Sequence, residues 1–79
     1  MATIREDRLL DCRGELCPLP VVKTNREMKA LSAGQVLKVL ATDRGAVVDL
    51  PAWADDTGNE LLEWHEDGAD LVFLLRKGT

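Results

Sequence analysis

Pro18 and Pro20, one residue apart in Cys17-Pro18-Leu19-Pro20, constrain the fold of this chain more than any other feature. Proline is tolerated in the first turn of a helix, where the backbone N–H has no helical partner in any case. The pair therefore marks a helix start, with Pro18 expected as the first helical residue and Cys17 as its cap. Cys17 would then sit at the positive end of a helix dipole, beside N–H groups that lack partners. Such a place favours the thiolate, which is the reactive form of the side chain.

The rest of the chain reads outward from that point. Residues 8–12 (Arg-Leu-Leu-Asp-Cys) form a short strand in which Leu10 and Cys12 share one face. Arg13-Gly14-Glu15 is the turn, with Gly14 its flexible point. A helix is expected over residues 18–31, from the spacing of Val21, Val22, Met28 and Leu31, interrupted by Asn25 and stopped at Gly34. Residues 36–41 are apolar on both faces, which suits an inner strand. After the turn Thr42-Asp43-Arg44-Gly45, Asp43 is a candidate cap for a second helix carrying Val47, Leu50 and Ala54. Pro51 should kink that helix or make its start irregular, and Gly58 should stop it. Residues 61–66 and 71–76 are two further strands, joined by a hairpin turn at Asp67-Gly68. The order β-α-β-α-β-β predicts an α/β two-layer sandwich: a four-stranded mixed sheet, its first two strands parallel, with two helices on one face. The other sheet face would be open. Apolar residues available to it are drawn from Val36, Leu40, Leu62, Trp64, Val72 and Leu74 or from their neighbours, alternation alone leaving open which set faces out. They exceed what one face needs, so an exposed patch that holds a partner or a second copy is expected.

Composition narrows the function. Seventy-nine residues make one domain with one modest core, which a hydrophobic content of 46% can fill. The first seven residues are expected to be loose. No apolar run approaches the ~20 residues of a membrane span, and Met1–Arg8 has no apolar signal core, so a cytoplasmic protein is expected. A formal net charge of −4 and a pI near 4.8 disfavour direct nucleic-acid binding and suit a partner with a basic docking surface.

The two cysteines do not make a disulfide framework. Spaced C-x4-C, Cys12 and Cys17 supply with the lone His65 at most three zinc-type ligands, so no metal centre is expected, and no cofactor. His65 lies on the third strand, far along the chain from Cys17, and no triad partner is evident for a Cys-His hydrolase. Cys12 reads either as a small core residue beside Leu10 or as the second thiol of a redox pair with Cys17. Asp43 would oppose the dipole by raising the Cys17 pKa, and Arg13 and Lys23 could offset it.

The run Leu10-Asp11-x-Arg13-Gly14-x-x-Cys17-Pro18-x-Pro20, followed by Val21-Val22-Lys23-Thr24, resembles the TusA/SirA-type sulfur-carrier family. Thr42-Asp43-x-Gly45-Ala46, Asp49-Leu50-Pro51-Ala52-Trp53, Gly58-Asn59-Glu60-Leu61-Leu62-Glu63 and Phe73-Leu74-Leu75-Arg76-Lys77 continue the resemblance over residues 9–77. It implies the same β-α-β-α-β-β sandwich. It also implies that Cys17 carries sulfane sulfur as a persulfide, with Asp43 near it, and that Arg13, Gly14, Glu15, Pro18 and Pro20 belong to the motif that supports it. The implied partners are a cysteine desulfurase or rhodanese-like donor and a DsrE-like or other acceptor, with the protein a monomer or weak dimer. Implied destinations include tRNA thiolation, molybdenum-cofactor synthesis and sulfur oxidation. Glu15 stands where tRNA-thiolation members commonly carry a bulky apolar residue, and the Gly-Glu-x-Cys-Pro form is closer to the YedF-like branch. Cys12 is a thiol that the family mechanism does not require. The rival reading is a non-catalytic regulatory module that binds a partner through the open sheet face.

Overall fold

The computed structural model describes residues 5–78. Its elements are β1 (Arg8–Cys12), α1 (Leu19–Lys29), β2 (Val36–Ala41), α2 (Ala46–Thr57), β3 (Glu60–Asp67) and β4 (Asp70–Arg76). The strands form one sheet in the order β1-β2-β4-β3. β1 and β2 are parallel, as a helical crossover requires, and the other two pairings are antiparallel. Of the first seven residues, 1–4 lie outside the described residues, while Asp7 is tied to β2. Its N–H donates to the Val36 carbonyl and its Oδ2 accepts the Val36 N–H, both at 2.7 Å.

Side-chain alternation along the central strands builds the core. Leu37, Val39 and Ala41 of β2 and Leu71, Phe73 and Leu75 of β4 share the face on which both helices lie, packing with Cys12, Met28, Leu31, Leu50, Trp53 and Ala54. Each fully buried Leu or Phe contributes roughly 1.5–3 kcal/mol relative to exposure. Asn25, which breaks the apolar spacing of α1, accepts a hydrogen bond from Trp53 Nε1 at 3.2 Å and so ties the two helices together.

The elements follow the sequence closely, with local corrections. α1 ends at Lys29, before Leu31, and Gly34 does not stop it. Gly34 instead takes a positive φ of 88° in the turn into β2, where its N–H donates to the Lys77 carbonyl at 2.9 Å. α2 runs continuously through Pro51. It opens on the i→i−3 bonds Ala46 to Asp43, Val47 to Arg44 and Val48 to Gly45 before its first i→i−4 bond at Asp49. Gly58, at φ 74°, ends it, and the Asn59 N–H reaches back to the Ala54 carbonyl in a Schellman closure.

The open sheet face differs from expectation in what it shows. A register shift between Leu61 and Glu63 leaves Leu62 unpaired and puts Leu61 and Trp64 on the same, helix-facing side. Trp64 therefore stacks on Phe73, with ring centroids 6.0 Å apart, and is not part of the open face. That face has an aliphatic strip of Val36, Leu40, Val72 and Leu74. Paired around it are Asp11, Lys38, Glu60, Glu63, His65 and Arg76. Val36, Val72 and Leu74 are buried, and Leu9 on β1 is the large hydrophobic residue left exposed there. Among the described residues, no broad apolar patch forms on this side. Of the other exposed large hydrophobics among the described residues, Trp64 lies on β3, and Leu16, Leu19, Val22 and Val48 lie in sequence near Cys17 and in α2. Among the described residues, no helix is long and apolar enough to cross a membrane.

Candidate functional site

Two parallel strands side by side, each followed by a helix on the same face, bring two turns together at one end of the sheet. The turn after β1 carries Cys17 and the turn after β2 carries Asp43. They are stitched by the Gly14 N–H, which donates to Thr42 Oγ1 at 2.8 Å, and by the Cys17 N–H, which donates to Asp43 Oδ2 at 2.7 Å. Asp43 Oδ1 also accepts the Gly45 N–H at 3.3 Å. Asp43 is thus not the cap of α2, a position held by Gly45 without a side-chain bond. Its carboxylate is spent on holding the two turns in register.

Cys17 is exposed, and its Sγ donates to Asp49 Oδ2 at 2.8 Å. Asp49 stands in the first turn of α2, where a carboxylate suits the helix dipole. The bond to Asp49 is the main reason that the thiol pKa lies above its ordinary value; burial, the Asp49 charge and the Asp43 charge add to it.

That outcome corrects the sequence expectation of an ionised sulfur. Cys17 is not the cap of α1: Pro18 occupies the N-cap, and the helix begins one residue later at Leu19. The Cys17–Pro18 peptide is cis. The N–H groups expected to stand free beside the sulfur are absent or engaged. Pro18 and Pro20 have none, Leu19 donates to the Leu16 carbonyl, and Val21 and Val22 both donate to the Pro18 carbonyl. With no free donor at the helix start and a carboxylate on the sulfur, the neutral thiol wins.

The supporting motif residues are anchored rather than aimed at the sulfur. Arg13 pairs with Asp11 at 2.9 Å and with Asp70 at 3.3 Å, and this contact holds the Asp11 carboxyl down at about 2. Glu15 pairs with Lys23, which raises the lysine pKa. Gly14 takes a φ of 82°, so the turn needs a residue without a Cβ penalty there. Pro20, the second residue of α1, is buried, and Pro18 lines a shallow cleft with Val21, Asp49, Ala52, Trp53 and Asp56. Neither Arg13 nor Lys23 offsets the carboxylates at Cys17, because both are committed elsewhere.

Cys12 is fully buried in the core, and burial pushes its thiol up to about 11, with the nearby Glu15 charge adding to the rise. Pairing it with Cys17 would require opening the core, which disfavours the redox-pair reading. Among the described residues, no cluster of ligating side chains suits a metal ion.

Asp49 is the site residue that the sequence reading did not single out, although it lay inside a quoted block. Its signal was topological. Once the first two strands are read as parallel neighbours, the first turns of both following helices open at the same end, and an acidic residue in one faces the cysteine before the other.

The profile of the family described as Sulfurtransferase TusA matches residues 8–77. The sulfur carrier protein TusA of Allochromatium vinosum is 48% identical over 71 residues, covering 90% of this chain and 93% of that protein. YrkI of Bacillus subtilis is 44% identical over 75 residues, covering 95% of this chain and all of YrkI. A crystal structure of a SirA-like protein from Desulfitobacterium hafniense shares the fold, with a TM-score of 0.79 at 24% identity over 91% of this chain and 99% of that one.

Proposed function

The chain belongs to the TusA family of sulfur carriers, and from that premise we propose that it relays sulfane sulfur as a persulfide on Cys17. The donor is a cysteine desulfurase or rhodanese-like protein, and the acceptor is a DsrE-like or other thiol protein. The observation that carries this reading is the exposed Cys17 sulfur, set at the start of α1 on a turn fixed by Asp43 and Gly14.

The chemistry needs an accessible thiol and little else. Cys17 gives up its proton and its sulfur attacks the outer sulfur of the donor persulfide. The new S–S bond forms on Cys17 and the donor's S–S bond breaks. The donor sulfur leaves as a thiolate and takes up a proton, so no oxidant or reductant is consumed. Passing the sulfur on is the same exchange in the other direction, with the acceptor thiolate attacking the outer sulfur. No general base of the carrier is required, which fits a site that lacks histidine. Asp43 acts here as a positioning group through the Cys17 N–H.

Incubation with a persulfide-charged donor followed by peptide mass spectrometry tests this. A single adduct of about +32 Da at Cys17 is expected, absent in Cys17→Ser and retained in Cys12→Ala. Loading that persists in Cys17→Ser would overturn the assignment.

A further inference from the structure

The relay reading leaves open what decides when the Cys17 sulfur reacts, and the structure speaks to that. The thiol hydrogen is held by Asp49 at 2.8 Å, on a side chain that is otherwise exposed. A thiolate at that distance from a carboxylate would be repelled, so the arrangement suits the resting thiol and opposes its reaction. Among the described residues, no charge within the site relieves this. The groups acting on the sulfur are Asp49 from α2 and Asp43 from the β2–α2 turn, and Asp56 lines the same cleft as Asp49. The cations of the adjoining segments are taken: Arg13 by Asp11 and Asp70, Lys23 by Glu15, and Arg44 by Glu66. The backbone donors of the α1 start are engaged or replaced by proline.

We propose that Asp49 gates the carrier cysteine: in the free protein its carboxylate holds the Cys17 hydrogen, and a lysine or arginine on the surface of the docked partner frees the sulfur by pairing with that carboxylate. The proposal rests on the relay reading and names the chemistry its partners bring. When the partner cation neutralises Asp49, the hydrogen-bonded proton passes to solvent and the sulfur is left beside a neutral ion pair instead of a bare carboxylate, which removes the main opposition to the anion. Leu16 next to Cys17 and Val48 next to Asp49 are 72% and 71% exposed, so the partner surface that delivers the cation meets apolar side chains around it. Asp49 is a positioning residue in this scheme: it acts through the cysteine and does not touch the transferred sulfur.

The test uses the whole chain and reads Cys17 alone by peptide mass spectrometry. Alkylation by the neutral reagent iodoacetamide is followed against pH in wild type, Asp49→Asn and Asp43→Asn. In Asp49→Asn the pH midpoint moves down and the rate at pH 7 rises several-fold, and Asp43→Asn shows a smaller change in the same direction. A midpoint in Asp49→Asn that stays at the wild-type value, or moves up, overturns the gate.

The second arm compares cystamine, a cationic disulfide, with 3,3′-dithiodipropionate, an anionic one. In each exchange the Cys17 thiolate bonds one half of the reagent while the other half leaves as a thiolate and is protonated. At low salt, wild type prefers the cation by about tenfold, the effect of reversing charge near a partly screened carboxylate pair. Asp49→Asn loses most of the preference, and so does wild type at high salt. Equal rates with the two disulfides in wild type also overturn the gate. Persulfide loading scored on the same samples separates the two readings. A shifted alkylation profile without any +32 Da adduct removes the relay and leaves the gated thiol. Normal loading with an unshifted profile removes the gate and leaves the relay.

Discussion

Cys12 and Cys17 are the same side chain five positions apart, and both hold their protons more tightly than an ordinary thiol, for opposite physical reasons. Cys12 ends β1 with its side chain in the core, and loss of solvent is the main cause. Cys17 stands on the surface, and one hydrogen bond to Asp49 is the main cause. Burial can be undone only by opening the fold, whereas one carboxylate can be neutralised by a single charge on a visitor. The first thiol is inert by architecture and the second is inert by arrangement, and only the second can be switched by docking.

The widest gap should appear in native-state labelling. Iodoacetamide should modify Cys17 at least about a thousandfold faster than Cys12, since reaching Cys12 requires an opening close to global unfolding. In concentrated urea the two rates should converge. Comparable rates in the native protein would place Cys12 in contact with solvent and dissolve the contrast.

Stability should separate the pair next. Cys12→Ser replaces a fully buried thiol with a more polar hydroxyl and should cost about 1–3 kcal/mol by urea denaturation. Cys17→Ser should stay within about 0.5 kcal/mol of wild type. Alkali adds a sign. Cys12 binds its proton more tightly folded than unfolded, so its contribution is complete below its ordinary value near 9. It is lost as the pH climbs towards about 11. Wild-type stability should therefore decline across that window more steeply than that of Cys12→Ala.

The two aspartates of the site should divide the same way, on a smaller scale. Asp43 accepts two backbone N–H groups, and Asp43→Ala should cost about 1–2 kcal/mol of stability. Among the described residues, the Asp49 carboxylate's one side-chain hydrogen bond is to the thiol, so removing it should alter Cys17 reactivity more than the urea midpoint. Were Asp43→Ala to change the thiol more than Asp49→Asn does, the assignment of frame to one and gate to the other would be reversed.

What was legible in the sequence follows from which forces are local. The sandwich could be read because strand alternation, the Pro-marked helix start, Gly58 and the hairpin glycine Gly68 are each decided within a few residues. The hairpin turn itself is Gly68-Ala69, one residue later than expected, since Asp67 ends β3 paired with Asp70. The face of Trp64 could not, because a bulge at Leu62 changes the period without a residue-type signal. Cys17 could be read as a thiol at a helix start, but its protonation could not. The dipole argument needs free N–H groups at the helix start, and whether Leu19 and Val21 are free depends on carbonyls that only the folded turn brings near. Asp49 lies 32 residues from Cys17, and its role arises from the meeting of two turns.

Gly45 offers the finest test of that meeting. In the sequence it is one more turn glycine, yet its φ of −58° is open to any residue, so flexibility is not the reason for it. A Cβ built there would lie 3.4 Å from Asp43 Oδ2 and 3.6 Å from Cys17 Cβ. The glycine thus allows the α2 start to approach the cysteine turn closely. Alanine makes only ordinary contacts at those distances, so Gly45→Ala should change stability by no more than about 0.5 kcal/mol and leave Cys17 alkylation near wild type. Gly45→Val carries two further methyl groups into the same gap and should displace the Asp43 carboxylate from the Cys17 N–H. The expected readout is a shifted Cys17 amide resonance together with altered alkylation. A valine variant with an unmoved Cys17 amide would mean that the two turns are held together without the Asp43 contact.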